Sequence, residues 1–69
     1  MKTYYVGCDI SGRLSPDYTS LQEVVEWMNK RNPKSGDCVV WRKWKTDAGV
    51  DYSYSLAAIR LSGEWEYKE

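Results

Sequence analysis

The chain has 69 residues, with ten basic and ten acidic side chains and no histidine, so its formal net charge is zero. We expect a single domain over residues 1–69. Two domains would each have fewer than about 40 residues, and domains that small rarely fold without disulfides, metals or a partner. Zero net charge gives no general attraction to nucleic acid or to an anionic membrane. No apolar stretch reaches about 18 residues and no signal-type N-terminus is visible, so the sequence predicts a cytoplasmic protein without a membrane span.

The first part of the chain is predicted to form a strand followed by a helix. Apolar residues alternate with small or polar ones in the manner of a half-buried strand, at Tyr4, Val6, Cys8 and Ile10. Turn-forming residues then predict a loop over residues 11–19. Ser20 and Glu23 match a capping box, and the apolar residues that follow recur at helical spacing. Pro33 is expected to end this helix near residue 31.

The second half is predicted to form consecutive strands. Residues 38–46 are rich in β-branched and aromatic side chains, which favour a strand. Gly49 suits the left-handed position of a three-residue hairpin loop, so residues 50–61 are expected to return as an antiparallel neighbour. Ser62 and Gly63 then predict a two-residue turn into a short last strand over residues 64–67.

The apolar phase of residues 50–61 changes near Ala57 and Ala58, which indicates a β-bulge or a strong bend, with a short helical turn as the alternative. The predicted element order is β-α-β-β-β. It defines a small α+β domain in which one helix packs on one face of a mostly antiparallel sheet of three to four strands. The other face of the sheet is left for solvent or a partner.

Catalytic chemistry lacks its usual side chains in this sequence. Histidine, the commonest general base and metal ligand, is absent. Cys8 and Cys38 are too few for a zinc site and have no activating imidazole, so we expect them to be small apolar core residues. The scattered glycines match no phosphate-binding loop. The sequence therefore predicts a protein that is not an enzyme and holds no metal or cofactor.

One strand carries an unusual concentration of aromatic and basic residues. Alternation along residues 38–46 directs Trp41 and Trp44 to opposite faces of the sheet. Only one face meets the helix, so one tryptophan is expected on the open face, and we assign Trp41 to it together with Lys43 and Lys45. The candidate partner-binding residues are Trp41, Arg42, Lys43, Trp44, Lys45, Tyr52 and Tyr54.

The functional hypothesis is a protein-binding module. Six Tyr and four Trp are more amphipathic rings than so small a domain readily buries, and Tyr, Trp and Arg dominate protein interfaces. In length, the chain is comparable to small inhibitors and regulators made by phages and mobile elements, which act on a larger host protein. Both a monomer and a homodimer fit the sequence.

The alternative hypothesis is nucleic-acid binding. Residues 30–46 hold six basic side chains against Asp37, a net charge of +5. An exposed indole beside such cations suits a stacked base of a single strand. The simpler interpretation is that the lysines protect a strand edge from unwanted pairing. The candidate nucleic-acid-binding residues are Lys30, Arg31, Lys34, Trp41, Lys43 and Lys45.

Overall fold

A computed structural model describes residues 2–31 and 36–69, with Asp51 and Tyr52 described through their backbone alone. One helix packs against a four-stranded sheet, in which every neighbouring pair of strands is antiparallel and the spatial order is β1-β2-β3-β4. The predicted α+β fold is thus confirmed. The elements are β1 (Lys2–Asp9), α1 (Leu21–Arg31), β2 (Cys38–Lys45), β3 (Asp51–Leu61) and β4 (Glu64–Tyr67).

The helix covers one face of the sheet, over β1 and β2. Its apolar stripe supplies Val24 and Met28, which are completely buried. Small side chains of the sheet complete this core, so the helix approaches the strands closely. The core cluster consists of Val24, Met28, Cys38, Val40, Ala57 and Ala58.

Gly7 of β1 lies directly beneath the helix. A Cβ atom at this position would stand 2.7 Å from Met28 Sδ and 3.1 Å from Val24 Cγ1. Both distances are shorter than ordinary van der Waals contact, so a larger residue would push the helix away from the sheet.

Gly7→Ala is therefore expected to lower the free energy of unfolding by about 1–3 kcal/mol through overpacking. Urea unfolding followed by circular dichroism measures the loss. In a Met28→Ala background the same substitution is expected to cost less, because the clashing thioether is gone. An equal cost in both backgrounds would show that the contact with Met28 is not the cause.

A β-bulge interrupts β3 at Ala57. Val40 of β2 pairs with Ala58, and the next residue, Trp41, pairs with Leu56, so Ala57 is an extra residue in β3. The predicted bulge is confirmed, and the competing helical turn is wrong because β3 remains a strand throughout its length. A second shift in register lies between Trp44 and Lys45.

The bulge determines which side chains share a face. Before it, Tyr54 and Leu56 point away from the helix. After it, the parity is reversed, so Ile59 and Leu61 point away from the helix as well. One extra residue therefore collects the large apolar side chains of β3 on the uncovered face and leaves alanines beneath the helix.

Two tight turns connect the last three strands. Gly49 has φ 82°, and the Gly49 amide donates to the carbonyl of Thr46, as the predicted three-residue hairpin loop requires. Ser62 and Gly63 have φ values of 53° and 84°, which is the pattern of a two-residue type I′ turn.

The segment predicted as a loop over residues 11–19 also protects the free edge of β1. Leu14 forms an isolated bridge with Cys8, and Tyr18 forms one with Tyr5. Between them, the buried Ser15 donates its amide to the Gly7 carbonyl and accepts the Gly7 amide on its hydroxyl. This pairing satisfies backbone groups that an open edge would present to other chains.

Candidate functional site

The uncovered side of the sheet is the candidate site, and we call it the open face. Val40 belongs to the core under the helix, so its neighbours Val39 and Trp41 point the other way. Across the strands, Trp41 is aligned with Val6 and Leu56, and Val39 with Cys8 and Ile59. The open face therefore consists of Tyr4, Val6, Cys8, Leu14, Val39, Trp41, Lys43, Lys45, Tyr54, Leu56, Ile59 and Leu61.

The open face and its margin expose large apolar side chains. The exposed fractions are 85% for Ile10, 59% for Leu14, 64% for Tyr54 and 53% for Leu61. Trp41 lies half-buried among them, with its ring edge-on to Tyr54 at a centroid distance of 5.3 Å. Contiguous apolar surface of this kind marks interaction sites in soluble proteins.

Two shallow depressions lie along β1 and β2 and share Cys8 as a lining residue, and we call them together the groove. The first is lined by Val6, Cys8, Leu14, Trp41, Lys43 and Tyr54. The second, at the other end of the strands, includes Ile10, Asp37, Val39, Ile59 and Leu61. An apolar floor with a lysine at one end and an aspartate at the other suits an elongated apolar partner surface.

Charges of opposite sign lie at the two ends of the open face. Lys43 aligns with Tyr4, and Lys45 aligns with Lys2, so the lysines gather at the end where β1 begins. Lys45 also pairs with Asp17 at 3.2 Å. At the opposite end, Asp37 accepts a hydrogen bond from the Ser62 amide. Two further carboxylates on β4 align with the apolar residues of β3, namely Glu66 with Ile59 and Glu64 with Leu61.

The structure divides the predicted partner-binding set between the two faces. Trp41, Lys43, Lys45 and Tyr54 lie on the open face, as assigned from the sequence. Arg42 and Trp44 lie on the helix-covered side, where the guanidinium stacks over the indole at 4.9 Å from the ring centroid. The side chain of Tyr52 lies outside the described residues.

Arg42 is further held by Glu69. Its Nη1 lies 3.6 Å from a carboxylate oxygen of Glu69, and the Tyr5 hydroxyl donates to the other oxygen at 2.7 Å. Burial, and then the hydrogen bond to Glu69, raise the pKa of Tyr5 because both disfavour the phenolate. This cluster holds Glu69 against the sheet and occupies Arg42 with a contact inside the molecule.

The predicted nucleic-acid set is likewise spread over separate surfaces. Lys30 and Arg31 are at the end of α1, where the Arg31 guanidinium stacks over Trp27 at 5.1 Å. Lys43 and Lys45 lie on the opposite side of the sheet from the helix. Lys34 lies outside the described residues. The cations that the structure describes do not form one continuous track.

The two cysteines lie on opposite faces of the sheet. Cys38 is buried beneath the helix, whereas Cys8 lines the groove on the open face, and neither is in a disulfide. Burial raises the pKa of the Cys38 thiol, since the apolar surroundings disfavour a thiolate. Within residues 2–31 and 36–69, no three His, Cys, Asp or Glu side chains are grouped as a metal site would need.

Sequence reasoning missed most of the aliphatic part of the site. The candidate residues from the sequence do not include five aliphatic residues that the structure places on the open face or at its margin, namely Ile10, Leu14, Val39, Ile59 and Leu61. The position of Ile59 and Leu61 could have been predicted from the change of apolar phase near Ala57. A bulge there turns both side chains to the face that carries Trp41. For Leu14, the position depends on the bridge to Cys8, which no local pattern indicates.

Together these features define a small α+β domain with an antiparallel sheet covered by a helix on one face and apolar on the other. In the described part of the chain, no helix is long and apolar enough to cross a membrane. Comparison with protein-family models, with curated proteins and with solved structures gave no significant match.

Proposed function

We propose that this protein is a non-enzymatic binding module that contacts another protein through the open face of its sheet. The observation that carries the proposal is the continuous apolar surface of β1, β2 and β3, bordered by the exposed side chains of Ile10, Leu14, Tyr54 and Leu61. Leaving such side chains in water costs roughly 25 cal/mol for each Å² of apolar surface, and a protein partner would remove that cost.

The composition of the face supports a protein partner. An interface core is typically apolar and aromatic with charges at its rim, and here Trp41 and Tyr54 stand among aliphatic residues with Lys43 and Asp37 at the two ends. A reducing compartment such as the cytoplasm suits the free thiol of Cys8 within this surface.

The test is affinity purification from cells that make the protein, with two matched variants. Leu61→Asp places a charge on the open face, whereas Val50→Asp places the same charge near the hairpin tip, where the side chain is 63% exposed. A specific partner is expected to be lost with Leu61→Asp and kept with Val50→Asp. Equal retention of every bound protein by both variants would contradict the proposal.

Nucleic-acid binding is the second candidate, favoured by the position of Lys43 beside Trp41 and Tyr54 in the groove. Its weakness is the local pairing of the other cations, since Arg42 contacts Glu69 and Lys45 contacts Asp17. Titration with short oligonucleotides, followed by tryptophan fluorescence, distinguishes the two. Salt-sensitive quenching that disappears in Trp41→Ala would favour nucleic acid over protein.

A further inference from the structure

The residues of the open face are arranged so that the face matches a second copy of itself. Along β2 and the residue before it, the side chains on this face run in the order Asp37, Val39, Trp41, Lys43, from acidic through apolar to basic. Alternate residues of a strand are about 6.7 Å apart, so Asp37 and Lys43 stand nearly symmetrically about a point between Val39 and Trp41.

Two copies of the chain can be related by a two-fold axis that passes through that point, perpendicular to β2 and parallel to the sheet. This axis brings opposite charges of the two copies together. It places Asp37 of one copy over Lys43 of the other, twice in each dimer. On β3 the same operation brings Leu61 over Tyr54 and Ile59 over Leu56, so apolar residues meet apolar residues. Two sheets stacked in this way would have the nearly aligned strands and the separation of about 10 Å that face-to-face sheet packing adopts.

The size of the core gives an independent reason for such pairing. In the core cluster under the helix, the buried side chains are Val, Ala, Cys and one Met, and the larger rings packed against them are only partly buried. The larger apolar residues of β3 point to the open face. Domains of this length often gain their missing stability by association. A standard interface takes about 800 Å² from each partner, roughly a sixth of the 4587 Å² surface of this molecule.

We propose that the protein forms a two-fold symmetric homodimer by packing the open faces of two copies together. This inference rests on the proposed function, because it names the partner of the same surface. In the dimer, Trp41 lies at the centre of a second apolar core, and the Asp37–Lys43 pairs at its ends fix the antiparallel orientation of the two copies.

The first experiment is sedimentation equilibrium of the unaltered chain from micromolar to millimolar concentration. The expected result is a mass that rises from 8.1 kDa to twice that value as concentration increases. A mass that stays at 8.1 kDa throughout would overturn the homodimer. Because it needs no variant, this result does not depend on whether a mutant folds.

The second experiment tests the orientation by exchanging charges. Lys43→Asp and Asp37→Lys each place like charges together in a homodimer, and each is expected to weaken self-association by about tenfold or more. An equimolar mixture of the two variants restores both opposite-charge pairs in a heterodimer, so association is expected to return to within a few-fold of the original. Weak association of each variant without recovery on mixing would overturn the proposed axis.

The homodimer and the broader proposal fail in different ways. A monomeric protein that still retains a partner sensitive to Leu61→Asp would overturn the homodimer and leave protein binding in place. A monomer without such a partner would overturn both. Thermal melting of Asp37→Lys serves as the folding control, since this side chain also accepts the Ser62 amide.

Discussion

Arg60→Ala is expected to unfold most of the protein at room temperature. Arg60 is 1% exposed, and its Nε donates to the Gly36 carbonyl at 2.6 Å while Nη1 donates to Asn29 Oδ1 at 2.9 Å. The guanidinium also lies 5.5 Å from the ring centroid of Trp65. One side chain thus connects the end of α1, the segment before β2, and β4.

The expected loss is about 3–5 kcal/mol, because truncation of the buried side chain leaves a cavity and breaks both hydrogen bonds of its guanidinium. A domain of this size has only about 3–5 kcal/mol in total, so a loss of that size leaves little folded protein. Chemical unfolding followed by circular dichroism measures it. Arg31→Ala is the matched control: it removes an exposed guanidinium and is expected to cost about 1 kcal/mol or less.

Arg60→Met separates the packing contribution from the hydrogen bonds. Methionine restores much of the volume, so it is expected to cost less than alanine. It still leaves the Gly36 carbonyl without this donor, whereas Asn29 Oδ1 keeps the indole N–H of Trp65 at 3.0 Å. Similar free energies of unfolding for Arg60→Ala and Arg31→Ala would contradict the role of Arg60 in connecting these segments.

Trp41→Ala is expected to weaken association by about 30-fold or more, since truncating a central aromatic anchor commonly costs at least 2 kcal/mol of binding free energy. Folding is expected to lose only about 1–2 kcal/mol, because Trp41 is half-buried and its aromatic contact is one edge-on pair with Tyr54. Sedimentation measures the effect on the homodimer, and co-purification measures it for any other partner.

Trp44→Ala is the matched control for this prediction. The residue is of the same type, belongs to the same strand and is also half-buried, but its ring lies under Arg42 on the helix-covered side. Trp44→Ala is expected to lower the melting temperature by a comparable amount and to leave association unchanged. Equal losses of association in both variants would mean that general destabilisation, and not the open face, causes the effect.

Local patterns were sufficient for most of the secondary structure. The helix begins directly after Ser20 and ends at Arg31, where the capping pattern and the proline placed its limits. Both predicted turns are confirmed, because left-handed backbone conformations have a strong local signature in Gly49 and in the Ser62–Gly63 pair. The alternation of β2 also assigned Trp41 to the open face correctly.

The composition of the site was harder to predict, because it depends on contacts between distant segments. Arg42 and Trp44 were grouped with Trp41 from their proximity in sequence, although alternation turns them to the other face, where Glu69 engages Arg42. The apolar surface depends on an extra residue at Ala57, whose effect on register appears only when β3 is paired with β2. The inhibitor role rests on chain length alone and stays a prediction.

Site-specific photo-crosslinking in cells that make the protein tests the open face most directly. Tyr54 and Tyr67 are both exposed, at 64% and 52%, but Tyr54 lies on the open face and Tyr67 on the helix side, stacked with Trp65. Each is replaced in turn by benzoylphenylalanine, which resembles tyrosine in shape. If the open face binds a protein, the probe at position 54 is expected to crosslink to that protein, and the probe at position 67 is expected to give few crosslinks. No adducts from position 54, or equal yields from both, would contradict it.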